Sequence, residues 1–276
     1  MSIHLLRGRG RRDLVVPQFT AVFQSDWAGA ALGSSNASKS DGNKWNVVGG
    51  NDGAGVAVVS AAGLDMPSGM AKCLLVPWDN GVFNFLRKTG MAVPGLGQSR
   101  AYRLYQRLVL PDGTSDTNTH PNQDGNAISG SNWAWNVFND IGGGQFRSGV
   151  QFVGDSSPNN NFIGPTLDKG ATYRLGFLLT RDAVDAAAFK FSVQIFNSSE
   201  VQVADDSDFA NSSAVSLATY CASNNLVLNN AANLDGFNAG ANDDGPEPGN
   251  WGYQGGIAIC DGQGFIGRYG TVSGEG

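Results

Sequence analysis

Charge is scarce in this chain. Only 15% of its residues are Asp, Glu, Lys or Arg, well under the roughly 25% usual in soluble domains. Exposed helix faces are built mainly from Lys, Glu and Arg, so the shortfall argues against a helical protein. Glutamate is scarcer still: Glu200, Glu247 and Glu275 are the three present, and none lies mid-strand. A glycosidase that works with two carboxylates flanking the scissile bond has little to draw on here. The histidines are His4 and His120, and no Gly-x-Ser-x-Gly elbow accompanies them. Three widely spaced cysteines, Cys73, Cys221 and Cys260, form neither a disulfide framework nor a zinc knuckle. Cys73 and Cys260 sit in apolar runs and read as buried free thiols. No stretch approaches the roughly 20 apolar residues of a membrane span. The opening MSIHLLRGRGRRD lacks the apolar core of a signal peptide, so the expectation is a soluble protein without Sec-type export.

What the chain does have is glycine, 39 residues of it, together with abundant Asn, Ser and Asp that supply turns. Between those turns, period-2 alternation marks about a dozen short strands. In Phe189–Phe196, Phe189, Phe191, Val193 and Ile195 point one way while Lys190, Ser192 and Gln194 point the other. Tyr102, Leu104, Leu108 and Leu110 oppose Arg103, Tyr105 and Arg107, and Phe146, Val150 and Phe152 oppose Gln145, Arg147 and Gln151. This is the pattern of antiparallel sheets with one packed face. Gly142-Gly143-Gly144 lies between two strands and precedes no helix, which makes it a hairpin turn rather than a phosphate loop. Residues 181–188 (RDAVDAAA) suit a helical turn or two. The segments 33–53, 112–131, 154–161 and 229–250 read as loops, with His120 in the second of them. The predicted architecture is all-β: an antiparallel jelly-roll sandwich of about 12 strands, residues 15–276, preceded by an extended N-terminal arm, residues 1–14. Single sandwiches of roughly 200–250 residues are common.

The arm carries Arg7, Arg9, Arg11 and Arg12. Removing those four from 18 basic residues leaves 14 against 24 acidic ones, a body of −10. So acidic a body does not bind nucleic acid through its surface, because phosphate contacts need basic groups. The arm suits docking on an acidic partner surface. Arg103, Tyr105, Arg107, Arg147 and Gln151 fall on the non-apolar faces of their strands. If those strands are neighbours, they form one polar surface fit for sugars or carboxylates. Trp251 and Tyr253, beside the 229–250 segment, are the candidate exposed aromatics, whereas Trp133 and Trp135 read as core. No metal site or cofactor is expected. Asp-rich loops such as 112–124 and 205–208 offer at most scattered calcium oxygens.

With YRLYQRLVLPDG, the hairpin FKFSVQIFNSSEVQVADDSDF and the closing GGIAICDGQGFIGRY, the chain resembles the concanavalin A-like lectin and glucanase superfamily. Its look is nearest to jelly-roll polysaccharide lyases. That resemblance implies a sandwich with a polymer-binding sheet face. It departs from the lyase pattern where chemistry would sit: Tyr105 stands where an acid is expected between Arg103 and Arg107. Val153 stands where a catalytic histidine would follow Gln151. The sequence therefore points to a non-enzymatic particle-surface protein, of the phage capsid or tail decoration type. Its arm would dock on particle subunits, it would form a homo-oligomer on the virion surface, and it would have some affinity for cell-surface polysaccharide. A free lectin or adhesin, extracellular by another route, is the alternative; a polysaccharide lyase with Tyr105 as base comes third. Deleting residues 1–12 should abolish assembly and spare sugar binding, with particle incorporation and glycan retention as the two readouts.

Overall fold

A computed structural model describes residues 20–33, 45, 47–49, 56–78, 84–109, 119–124, 133–152, 161–227, 231–241, 249–262 and 264–267. The strands are β1 (Thr20–Ser25), β2 (Val47–Gly49), β3 (Ala57–Ser60), β4 (Lys72–Trp78), β5 (Asn84–Lys88), β6 (Ser99–Leu108), β7 (Thr119–Asp124) and β8 (Trp133–Gly142). They continue with β9 (Gln145–Phe152), β10 (Asn161–Asp168), β11 (Thr172–Arg181), β12 (Ala188–Asn197), β13 (Gln202–Asp205), β14 (Leu226–Val227), β15 (Phe237–Ala241) and β16 (Gly249–Asp261). All pairings are antiparallel. Sheet I runs β13-β12-β11-β6-β16-β4-β3, with β1 also on β16 and β14 also on β12; sheet II runs β10-β9-β8-β7-β15-β5-β2. The arm, with Arg7, Arg9, Arg11 and Arg12, lies outside the described residues. Among those described, no helix is long and apolar enough to cross a membrane.

The alternation read from the sequence sets the packing. On β12, Phe189, Phe191, Val193 and Ile195 are fully buried, while Lys190 is exposed and Ser192 and Gln194 half-buried. On β9, Phe146, Val150 and Phe152 go inward and Arg147 outward. The two sheets meet through aromatic rings. Trp133 of β8 sits 5.1 Å from Tyr102, 4.8 Å from Phe177 and 5.0 Å from Phe191, centroid to centroid. One sheet II side chain thus touches three sheet I strands. Phe152 adds edge contacts to Phe189 and Phe191. A second cluster stacks Trp27 on Trp45 at 5.5 Å, with Phe23 edge-on. Trp133 and Trp135 are core residues, 0% and 1% exposed.

Four segments differ from their reading as loops. β2 falls within 33–53, and β7 (THPNQD) puts the backbone of His120 in a strand. β10 begins at the end of 154–161, and β15 lies within 229–250. None carries enough apolar alternation to declare itself, and each is held by the ladders of its neighbours. Residues 181–188 form turns leading into β12 rather than a helix. The Asp182 carboxylate accepts from the Val184 and Asp185 amides, which satisfies the backbone locally. The helix, α1 (Leu217–Ser223), comes later: Ser216 caps it by accepting from the Thr219 amide, and Leu217 and Cys221, four apart, are its buried side. The segment leading to α1 closes the sandwich edge. Ala210 bridges Ile163 of β10, and Phe209 is fully buried against Gly164. The triple-glycine turn stands as read, all three residues having positive φ.

Replacing Trp133 by Ala should cost about 3–5 kcal/mol, the range for deleting a large buried aromatic side chain. Urea unfolding followed by far-UV circular dichroism measures it.

Candidate functional site

Directly paired residues share a sheet face, so register alone sorts the sequence-derived candidates. On sheet I, Arg107 pairs with Tyr253 and with Thr172, Tyr105 with Arg174, and Arg103 with Ala258 and Gly176. Arg103, Tyr105, Arg107 and Tyr253 therefore do occupy one face, opposite the inward Tyr102 and Leu104. Arg147 and Gln151 lie on β9 of sheet II. The expected single surface of five residues is divided between two sheets. The side chain of Trp251 lies outside the described residues.

The sheet I face is also covered. Arg103 is 2% exposed and Tyr105 1%. Residues 61–70 cross it from one side: the Leu64 carbonyl accepts from Arg107 Nη1 at 3.1 Å and from the Thr172 hydroxyl at 2.8 Å. Met70 packs so closely that a Cβ at position 255 would lie 2.6 Å from its sulfur and 2.8 Å from Tyr105 Cβ, so only glycine fits there. From the other side come residues 264–267. Arg103 Nη1 donates to the Gly267 carbonyl at 3.1 Å, and Arg174 Nη1 to the Ile266 carbonyl at 3.5 Å. These arginines are covered and hold neighbouring chain segments. In this structure Tyr105 has no open path to a polymer, which removes it as a general base.

The same device recurs across sheet I. Arg100, fully buried, pairs with Asp261 at 2.8 Å and donates to the carbonyls of Leu234 and Ala92. Arg181 donates to the carbonyls of Pro94 and Ala186. Arg174 places Nε and Nη2 each 2.8 Å from one Glu200 oxygen and stacks 3.8 Å over the Phe196 ring. Glu200 sits at positive φ (60°) at the β12–β13 hairpin tip, a strained conformation that this ion pair helps to hold. A guanidinium offers five donors in a rigid fork and stays charged, so it can satisfy several buried carbonyls together.

Sheet II carries a different outer row. Register aligns Arg87 of β5 with Asn238 of β15, then position 123 of β7, Ala134 of β8, Gln151 of β9 and Asn161 of β10. Ala134 lies between the inward Trp133 and Trp135, so the row is on the side of sheet II away from the inter-sheet core; Ala134 and Asn238 are themselves covered, 0% and 3% exposed, and Arg87, Gln151 and Asn161 are half-buried. Arg87 Nε donates to Asn238 Oδ1 at 2.8 Å, and burial pulls the Arg87 guanidinium below its ordinary value. That bond fixes the Asn238 amide, whose Nδ2 is buried without a hydrogen-bond partner among the described residues. Asn161 Oδ1, at the far end of the row, is likewise buried and without one. Arg147 is exposed on the same sheet, and Gln151 is half-buried. The sequence reading missed Arg87, Asn238 and Asn161. The alternation around Arg87 is visible in NFLRK, but Asn238 comes from a glycine-rich stretch 151 residues away.

Among the described residues, no three His, Cys, Asp or Glu side chains gather as a metal site. The cysteines are free and buried; burial pushes the Cys73 thiol up to about 12 and that of Cys260 to about 11. No protein-family model matches the chain, and no curated protein matches it. Solved structures do. An alginate lyase from Aplysia kurodai matches at 9% identity and TM-score 0.47, over 87% of this chain and 98% of that one. An endo-1,3-β-glucanase from Streptomyces sioyaensis matches at 12% and 0.41, over 88% and 96%, and peanut lectin at 11% and 0.33, over 78% and 90%. The sandwich architecture rests on the two packed antiparallel sheets themselves. No residue role transfers at these identities.

Arg103→Ala should lower stability by about 1–3 kcal/mol, since it removes a buried side chain and leaves the part-buried Gly267 carbonyl without its donor. Arg147→Ala, on the exposed face, should change it by less than about 0.5 kcal/mol. Paired urea titrations of the two variants check the contrast.

Proposed function

We propose that this chain is a carbohydrate-binding β-sandwich that acts without catalysis, and that the outer row of sheet II is where the glycan lies. One observation carries the reading: an amide donor of Asn238 and an amide acceptor of Asn161, both buried and without a hydrogen-bond partner among the described residues, stand on one cross-strand row, with Gln151 between them and Arg87 at the end beyond Asn238. A sugar hydroxyl both donates and accepts, so a chain of hydroxyls complements a row of amides. Glu200, the glutamate within the described residues, is held by Arg174, which supports binding over acid–base hydrolysis. A place on a particle surface, with the arm docked on other subunits, is compatible with this role. It rests on residues 1–14, outside the described residues.

Processing of the glycan is the second reading, since His120 belongs to β7, the strand that also carries position 123 of the row. A panel of acidic and neutral polysaccharides, with and without calcium, separates the two. Retention without new unsaturated or reducing ends is expected. Gln151→Ala and Asn161→Ala should each weaken retention roughly tenfold, the ~1.4 kcal/mol of one hydrogen bond, while folded Arg103→Ala binds as the parent does. Product release abolished by His120→Ala would replace binding with catalysis. No retention on any polymer would end the proposal.

A further inference from the structure

The segment after β16 lies on sheet I without joining it. Residues 264–267 pair with no strand, and the ladders from β12 to β4 are complete without them. Their side-chain anchor is Ile266, 2% exposed, set among Ala101, Ala258, Cys260 and Leu178 in an apolar cluster separate from the inter-sheet core. Phe265 lies over Gly176, where a Cβ would meet its ring at 3.3 Å. The backbone is gripped by two arginines from different strands, Arg103 on Gly267 and Arg174 on Ile266. The Gly262 amide donates to the Ser99 carbonyl at 3.0 Å, at the point where the segment leaves the sheet. One apolar side chain in a small pocket, flanked by side-chain donors to consecutive main-chain carbonyls, is how a sheet face holds an extended peptide.

We propose that the outer face of sheet I is a peptide-docking groove, and that residues 264–267 are its tethered occupant, separable from the sandwich. The groove takes an extended segment with one aliphatic anchor between an aromatic residue and a glycine, backbone carbonyls towards Arg103 and Arg174. It is independent of the glycan-binding row, which lies on the other sheet. Release of the segment uncovers Arg103 and Arg174 and leaves the inter-sheet core untouched.

Cys260, fully buried beneath Ile266, reports the groove, while Cys73 and Cys221 report the rest of the fold. In the full chain, Ile266→Asp should raise the rate of Cys260 alkylation at least tenfold, with Cys73 and Cys221 unchanged. Peptide mass spectrometry resolves the three sites. Ile266→Ala, run in parallel, gives a smaller rise and keeps the test open should the aspartate variant fail to fold. A free peptide of residues 262–270, added to the variant, should restore protection, and the same peptide carrying Ile266→Asp should not. The proposal is overturned if Cys260 stays as slow as in the parent chain, if all three cysteines quicken together, or if the parent peptide fails to protect.

Discussion

The buried guanidinium–carbonyl contact is the constraint on which sheet I is organised. Four buried arginines, Arg100, Arg103, Arg174 and Arg181, and the half-buried Arg107 hold backbone carbonyls of segments that do not belong to the sheet. Burying a cation is costly unless oxygens meet its donors; here the terminal guanidinium nitrogens find them, while Arg103 Nε and Arg181 Nε have no hydrogen-bond partner among the described residues. Each such arginine therefore fixes where a crossing segment must lie. Residues 61–70 and 264–267 are positioned by this demand as much as by their few apolar side chains. Without the carbonyls, the arginines would have to face water, and the sheet would present the open polar surface that its strand sequences suggest.

That difference marks how far the sequence could be read. Alternation in FKFSVQIF and QFRSGVQF places each side chain on its correct face, because period-2 patterning is a property of the strand itself. The burial of Trp133 and Trp135 follows from the same rule. What alternation cannot carry is whether an outward face is then covered, or which strands are neighbours. Arg103 and Arg147 look alike in sequence; one is buried beneath Gly267 and the other is exposed on the opposite sheet. The cover over Arg103 comes from more than 160 residues away, beyond any local signal. β7 is invisible for the opposite reason, since THPNQD has no apolar residue except proline and is a strand only because β8 and β15 pair with it. The α1 helix, by contrast, carries a readable signature in Ser216 and the Leu217–Cys221 spacing; its shortness conceals it.

The two sheets thus divide their labour. Sheet I uses its outward polar groups internally, to hold loops and a peptide. Sheet II leaves Asn238 Nδ2 and Asn161 Oδ1 without hydrogen-bond partners among the described residues, and its hydrogen-bonded Arg87 and Asn238 are preset in orientation. Rigid presentation of such groups on strands lowers the ordering cost of binding relative to presentation on loops. The aromatic layer around Trp133 makes this possible, because it couples the faces mechanically while keeping their outward chemistry separate.

The pairing of β1 with β16 has a topological consequence. Thr20, the first residue of β1, lies opposite Asp261, the last of β16, so the first and last strands described share one ladder. Neither can peel away without breaking the hydrogen bonds of the other, and the two ends of the fold come apart together.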